Sequence, residues 1–147
     1  MNRSFLLSLE AMDAASVTDP RSAFLCSRLH LRNGKRRFHQ GYSAAGIVSL
    51  YDSLLFGMCY YIATHKHCKR FIKNTELWDA TSLFHALFRA GVFDDPLFFN
   101  RLSLIVERAL WQATYPFDAD SNLAEVEKML MKLGVIPVNG FGLLANY

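Results

Sequence analysis

The chain has 147 residues, enough for one domain that buries the larger part of the surface its unfolded form exposes. With 52% hydrophobic residues, 14% aromatics and 12 Phe, the composition excludes a disordered or linker-like chain. A net charge of +3 is modest, so any attraction for phosphate must come from local clusters, and three cysteines without a CxxC pair exclude a disulfide scaffold and predict a reducing, cytoplasmic setting.

The chain starts with an arginine and a short apolar run, but Glu10 and Asp13 interrupt it, and no signal peptide is expected. Phe5, Leu6, Leu9 and Met12 fall on one stripe and predict a first helix from about Arg3 to Ala15. Asp19 followed by Pro20 is a helix start, and it opens a short second helix that the Asn33-Gly34 turn signal is expected to break. A long third helix is predicted from about Phe38 to Thr64. Its small residues Gly41, Ala44, Ala45 and Gly46 admit a close neighbour. Its apolar core, Ala44 to Ala63, contains Ser49, Asp52 and Ser53, so a buried central helix is expected rather than a membrane span.

A fourth helix is predicted to begin after Asn74 or Thr75 and to stop at Gly91. Asp95-Pro96 restarts the chain into a fifth helix that runs to about Thr114, where Pro116 ends it. The last helix is predicted from Asp120 or Ser121 to Gly134. No segment alternates like a strand, so an all-α fold is expected: an antiparallel up-and-down bundle of five or six helices in a single domain spanning 1–147. The apolar tail "VIPVNGFGLLANY" is expected to pack on its own subunit or on a neighbour.

Basic residues concentrate in "RLHLRNGKRR" and "HKHCKR", at the two ends of the long helix. The second cluster places His65, His67 and Cys68 together but lacks a second Cys or His pair, so neither a metal site nor a cofactor is expected. No GxSxG, Walker A or dinucleotide fingerprint occurs. Asp52 lies near an apolar stripe and needs a partner, for which Arg108 is a candidate. On the fifth helix, at about 100° per residue, Leu102, Ile105, Val106, Ala109 and Ala113 form an apolar face. Arg101, Leu104, Arg108, Gln112 and Tyr115 form another, with Arg108 and Tyr115 only about 20° apart.

Three stretches, "FHQGYSAAGIVSLYDSLLFGMCYYIA", "ATSLFHALFRAGVF" and "LIVERALWQATYPFDADSNLAEVEKML", resemble the HEPN superfamily of small helical domains, whose members are often associated with nucleotidyltransferases. Many members are metal-independent ribonucleases with an arginine, four to six residues and a histidine, at a site formed across a dimer interface. Toxin members often carry arginine, four residues, histidine, one residue, tyrosine. In this chain the arginine is Arg108 and the tyrosine Tyr115, while Ala113 stands at the histidine position.

The resemblance therefore implies a homodimeric, cytoplasmic module, with a nucleotidyltransferase as a partner to be expected. It binds a nucleotide, RNA or a partner protein in a groove of Arg108, Gln112 and Tyr115, with Asp52, Arg36 and Arg37 contributing. Alanine cannot relay a proton at a phosphodiester. The rival expectation is a metal-independent ribonuclease toxin that draws its histidine, His39 or His85, from elsewhere in the fold. A third is an assembly protein whose apolar tail docks on a partner.

Overall fold

A computed structural model describes residues 19–71 and 80–138, for Lys69 the backbone alone. The helix expected from Arg3 to Ala15, the start of the one expected near Asn74 and the tail from Asn139 to Tyr147 lie outside the described residues. Among the described residues all regular structure is helical, in five α-helices and one 3-10 segment. These are α1, Pro20–His39; α2, Ser43–Thr64; the 3-10 segment Lys66–Phe71; α3, Ala80–Arg89; α4, Phe98–Trp111; and α5, Ala119–Lys132.

Asp19 starts α1 as read from the sequence. Its carboxylate accepts from the Arg21 amide at 3.2 Å and from Ser22 Oγ at 2.7 Å, and Pro20 supplies a pre-set φ without an amide that needs a partner. The helix then departs from expectation. It runs unbroken through Asn33-Gly34 to His39, because Gly34 is a contact rather than a turn. A Cβ at Gly34 would come within 2.9 Å of Leu50 Cδ2 and 3.2 Å of the Gly46 carbonyl oxygen, so the missing side chain is what lets α2 lie against α1. The break falls instead at Gln40–Tyr42. Gly41 adopts φ +85°, the Gly41 amide donates to the Phe38 carbonyl and the Tyr42 amide to that of Arg37. This Schellman arrangement needs a left-handed residue, which glycine supplies without a Cβ clash. The long third helix expected from Phe38 therefore begins at Ser43.

α1 and α2 form an antiparallel hairpin, with Phe24 against Tyr60, Ser27 against Ser53, and Arg37 against Ser49. Inside it, Ser53 Oγ donates to the Ser27 carbonyl at 2.7 Å while Ser27 Oγ donates to the Ser53 carbonyl at 2.8 Å. Each hydroxyl satisfies itself on the other helix, which fixes the register and removes the cost of burying both.

α2 has the length and hydropathy of a membrane span, but 72% of its most apolar stretch is buried inside the fold. It is the central helix, in contact with every other helix described. α5 approaches it at Gly57, where a Cβ would stand 2.9 Å from Leu130 Cδ2. From the other side Phe84 of α3 stacks on Phe93 and on Phe99 of α4, both at 5.3 Å, and Tyr51 of α2 meets Phe99 at 5.6 Å. This aromatic cluster holds the N-terminal half of α4.

Candidate functional site: a groove at the end of the fourth helix

Asp95 begins α4 by accepting from the Leu97 amide at 3.0 Å and from Arg101 Nη2 at 2.6 Å. The helix buries Phe98, Phe99, Leu102, Val106 and Ala109, and the opposite face turns to solvent. It stops at Trp111, earlier than the expected Thr114: Gln112 is already extended at φ −138°, ψ 102°, and its amide closes on the Arg108 carbonyl at 2.9 Å. Ala113 therefore lies beyond the helix and is exposed rather than on the apolar face.

Arg108 and Tyr115 nonetheless meet, by a route that helix geometry did not predict. The Tyr115 amide donates to the Gln112 carbonyl at 2.9 Å, folding the chain back just before Pro116. The ring then lies beside the last helical turn, with the Arg108 guanidinium carbon 5.7 Å from its centroid. That is within reach of a cation–π attraction worth about 0.5–1 kcal/mol at an exposed site. Leu104, Glu107, Arg108, Trp111, Gln112 and Tyr115 line an open groove of about 360 Å³ around them. Three of these were absent from the expected site. Trp111 is the most informative, since a large aromatic side chain is here 80% exposed. Its position three residues after Arg108 and seven after Leu104 was the sequence signal.

The other candidates lie elsewhere. Asp52, on α2, is half-buried, and the cation it feels is Arg37 of α1, not Arg108. Burial pushes its carboxyl up to about 6, against the opposing pull of Arg37. Arg37 donates from Nη1 to Ser49 Oγ at 2.8 Å and to the Ala45 carbonyl at 3.4 Å. His30 stacks on Phe56 at 5.3 Å, and burial, with Arg37 second, holds its imidazole below the usual histidine range. Arg36 is exposed and donates to Asn33 Oδ1 at 3.2 Å. Asp52, Arg36 and Arg37 thus line no part of the α4 groove.

His39 and His85 are both exposed, His39 on the last turn of α1 and His85 on α3, and neither lines the groove. His65 Nδ1 lies 3.0 Å from the Tyr61 carbonyl, and Cys68 Sγ, in a buried residue, 3.5 Å from His67 Nε2. Among the described residues no three His, Cys, Asp or Glu side chains are placed to hold a metal ion. Burial pushes the Cys59 thiol up to about 12, so it stays protonated and unreactive.

The groove can hold a planar group and an anion together: an indole and a phenol offer flat faces, a guanidinium offers a fork of donors, and the Gln112 amide adds a donor and an acceptor. Comparison of the chain with protein-family models, curated proteins and solved structures finds no match.

Proposed function

We propose that this is a HEPN-like up-and-down helical module of the cytoplasm that binds a nucleotide or RNA without cleaving it, in the groove of Arg108, Gln112 and Tyr115. The observation that carries the reading is the stacking of Arg108 over Tyr115 beside an exposed Trp111. A base would stack on the aromatic faces, a contact worth about 1–3 kcal/mol, while Arg108 takes the phosphate through paired charge-assisted bonds. The second feature in its favour is α1, which has no acidic residue and turns Arg21, Arg32 and Arg36 to solvent, a stripe suited to the rest of a phosphate backbone. The groove lining includes no histidine, which speaks for binding rather than for the ribonuclease reading.

The test is a titration of the protein with labelled single-stranded RNA and, separately, with a nucleoside triphosphate. Arg108→Ala is expected to weaken binding about tenfold or more, the loss of one charge-assisted contact, while the unfolding free energy changes by no more than about 1 kcal/mol. Unchanged affinity would overturn the assignment of Arg108. RNA cleavage by the wild-type protein, abolished in His39→Ala or His85→Ala, would establish the ribonuclease reading in its place.

A further inference from the structure

The solvent face of α1 sets bare apolar side chains among cations. Arg21, Leu25, Arg28, Leu29, Arg32 and Arg36 fall within an arc of about 100° around the helix axis. Leu25 and Leu29 are 55% and 51% exposed, and Arg21, Arg32 and Arg36 are exposed beside them. The helix itself contains no acidic residue, and its cap, Asp19, is the nearest in sequence.

The contacts these arginines make do not neutralise them. Arg28 lies over the Phe24 ring at 5.5 Å, and Arg36 donates to the Asn33 amide oxygen at 3.2 Å. At one border of the arc Lys35 faces Glu127 of α5 at 4.0 Å, and beyond the other Asp52 of α2 feels Arg37. The other described acids lie on α4, on α5 or in the segments just before them.

We infer that this face of α1 docks on an anionic lipid bilayer, with Leu25 and Leu29 entering the boundary between headgroups and acyl chains and the arginines holding lipid phosphates. About half of each leucine is still bare in the folded chain, so insertion removes apolar surface from water. Arginine stems can lie along the same boundary while their guanidinium groups reach the phosphates and grip them with paired donors. The stripe from Arg21 to Arg36 is about 22 Å long and lies in the plane of the interface. The central helix α2 stays buried within the fold, so the chain rests on the membrane without crossing it.

Other anionic partners fit this face less well. The two leucines stand one turn apart on the crest of a single helix, and an acidic partner helix seats in a groove, which a crest does not provide. An RNA backbone would answer the arginines but offers the leucines no apolar counterpart, and bases stack on aromatic rings, which this arc lacks. The inference does not rest on the binding function proposed for the α4 groove, whose residues lie elsewhere.

The full chain is mixed with phosphatidylcholine vesicles, with or without roughly one-third phosphatidylserine, at about 0.1 M salt, and bound protein is read by co-sedimentation. Binding is expected to the anionic vesicles and not to the neutral ones. Arg32→Gln combined with Arg36→Gln should weaken it about 25-fold, at about fivefold for each cation lost. Leu25→Ser combined with Leu29→Ser should weaken it about tenfold or more with the charge unchanged. Thermal melts that coincide with that of the wild type show that these exposed substitutions leave the fold intact.

No binding to either kind of vesicle, or equal binding to both, overturns the inference. A leucine variant that binds like the wild type overturns it too, because only the diffuse attraction of a basic protein for an acidic surface would remain. Single-stranded RNA titrated into the same proteins separates the two proposals. RNA binding that needs Arg32 and Arg36, in a chain that ignores vesicles, assigns the stripe to RNA. Vesicle binding that needs Leu25 and Leu29, in a chain that binds no RNA, removes the groove function and leaves the docking surface.

Discussion

The Gly46→Ala protein is expected to lose about 2 kcal/mol of stability and to melt roughly 6 °C lower than wild type. The ring of Phe38 packs against Gly46, and an added Cβ would stand 2.5 Å from Cε1 and 3.1 Å from Cγ. These are atoms of a rigid ring anchored near the end of α1 and packed edge-on against Phe117 at 6.2 Å, so the ring must leave its site. Overpacking of this kind costs about 1–3 kcal/mol, and the gain in helix propensity from glycine to alanine returns at most about 1, less in the first turn of a helix. The clash wins. At Gly34 the balance is closer, since the nearest atom is the terminal Cδ2 methyl of Leu50 at 2.9 Å, with the Gly46 carbonyl oxygen at 3.2 Å, and the site is mid-helix, where the propensity gain is fuller. The mechanism is checked by a double-mutant cycle in urea. In a Phe38→Ala background Gly46→Ala should become neutral or stabilising, because the propensity gain remains and the clash is gone. The same loss in both backgrounds would show that the ring is not the cause.

Asp52→Asn is expected to stabilise the protein above pH 6 and to leave it unchanged near pH 3. The Asp52 carboxyl is raised from 3.8 to about 6 in the folded state, so as pH rises the unfolded chain releases this proton first. Between those values the folded state holds more protons, and stability falls with rising pH. Above pH 6 the penalty is complete and constant. The full shift corresponds to about 3 kcal/mol, and the solvent that reaches this half-buried side chain reduces the expected gain to about 1–2 kcal/mol. His30 contributes a slope of the opposite sign. Its imidazole is held low, so stability falls as pH drops through the ordinary histidine value and the unfolded chain takes up the proton. Asp52→Asn should therefore remove the acidic arm alone, and urea titrations of both proteins at pH 3.5, 5 and 7.5 would show the two curves diverging upward with pH. A constant offset, or a loss at pH 7.5, would mean that the attraction of Arg37 outweighs burial.

Much of the local structure was legible in the sequence, because the signals act over a few residues. Asp19 with Pro20 marked a helix start, and Asp95 with Pro96 marked another, although α4 begins at Phe98, two residues later than expected. Gly91 and Gly134, at φ +81° and +77°, stopped α3 and α5 where glycine after a periodic run says a helix should stop. The serines and Asp52 within the apolar run distinguished a core helix from a span. Asn33-Gly34 misled because the same dipeptide that favours a turn also offers the smallest surface to a neighbouring helix, and only the position of α2 decides which property is used.

The candidate site divides along the same line. The sequence determined that Arg108, Gln112 and Tyr115 stand near the end of one helix, and that alanine occupies the position where the resemblance calls for a histidine. Tertiary structure decided the rest. It ended α4 at Trp111 and brought Tyr115 back through a turn, left Trp111 bare, and gave Asp52 to Arg37 instead of Arg108. The physical reason is range. Caps, stops and periodicity are fixed by backbone hydrogen bonds a few residues apart, whereas the partner of a charge and the exposure of a ring depend on which distant helix packs against which face.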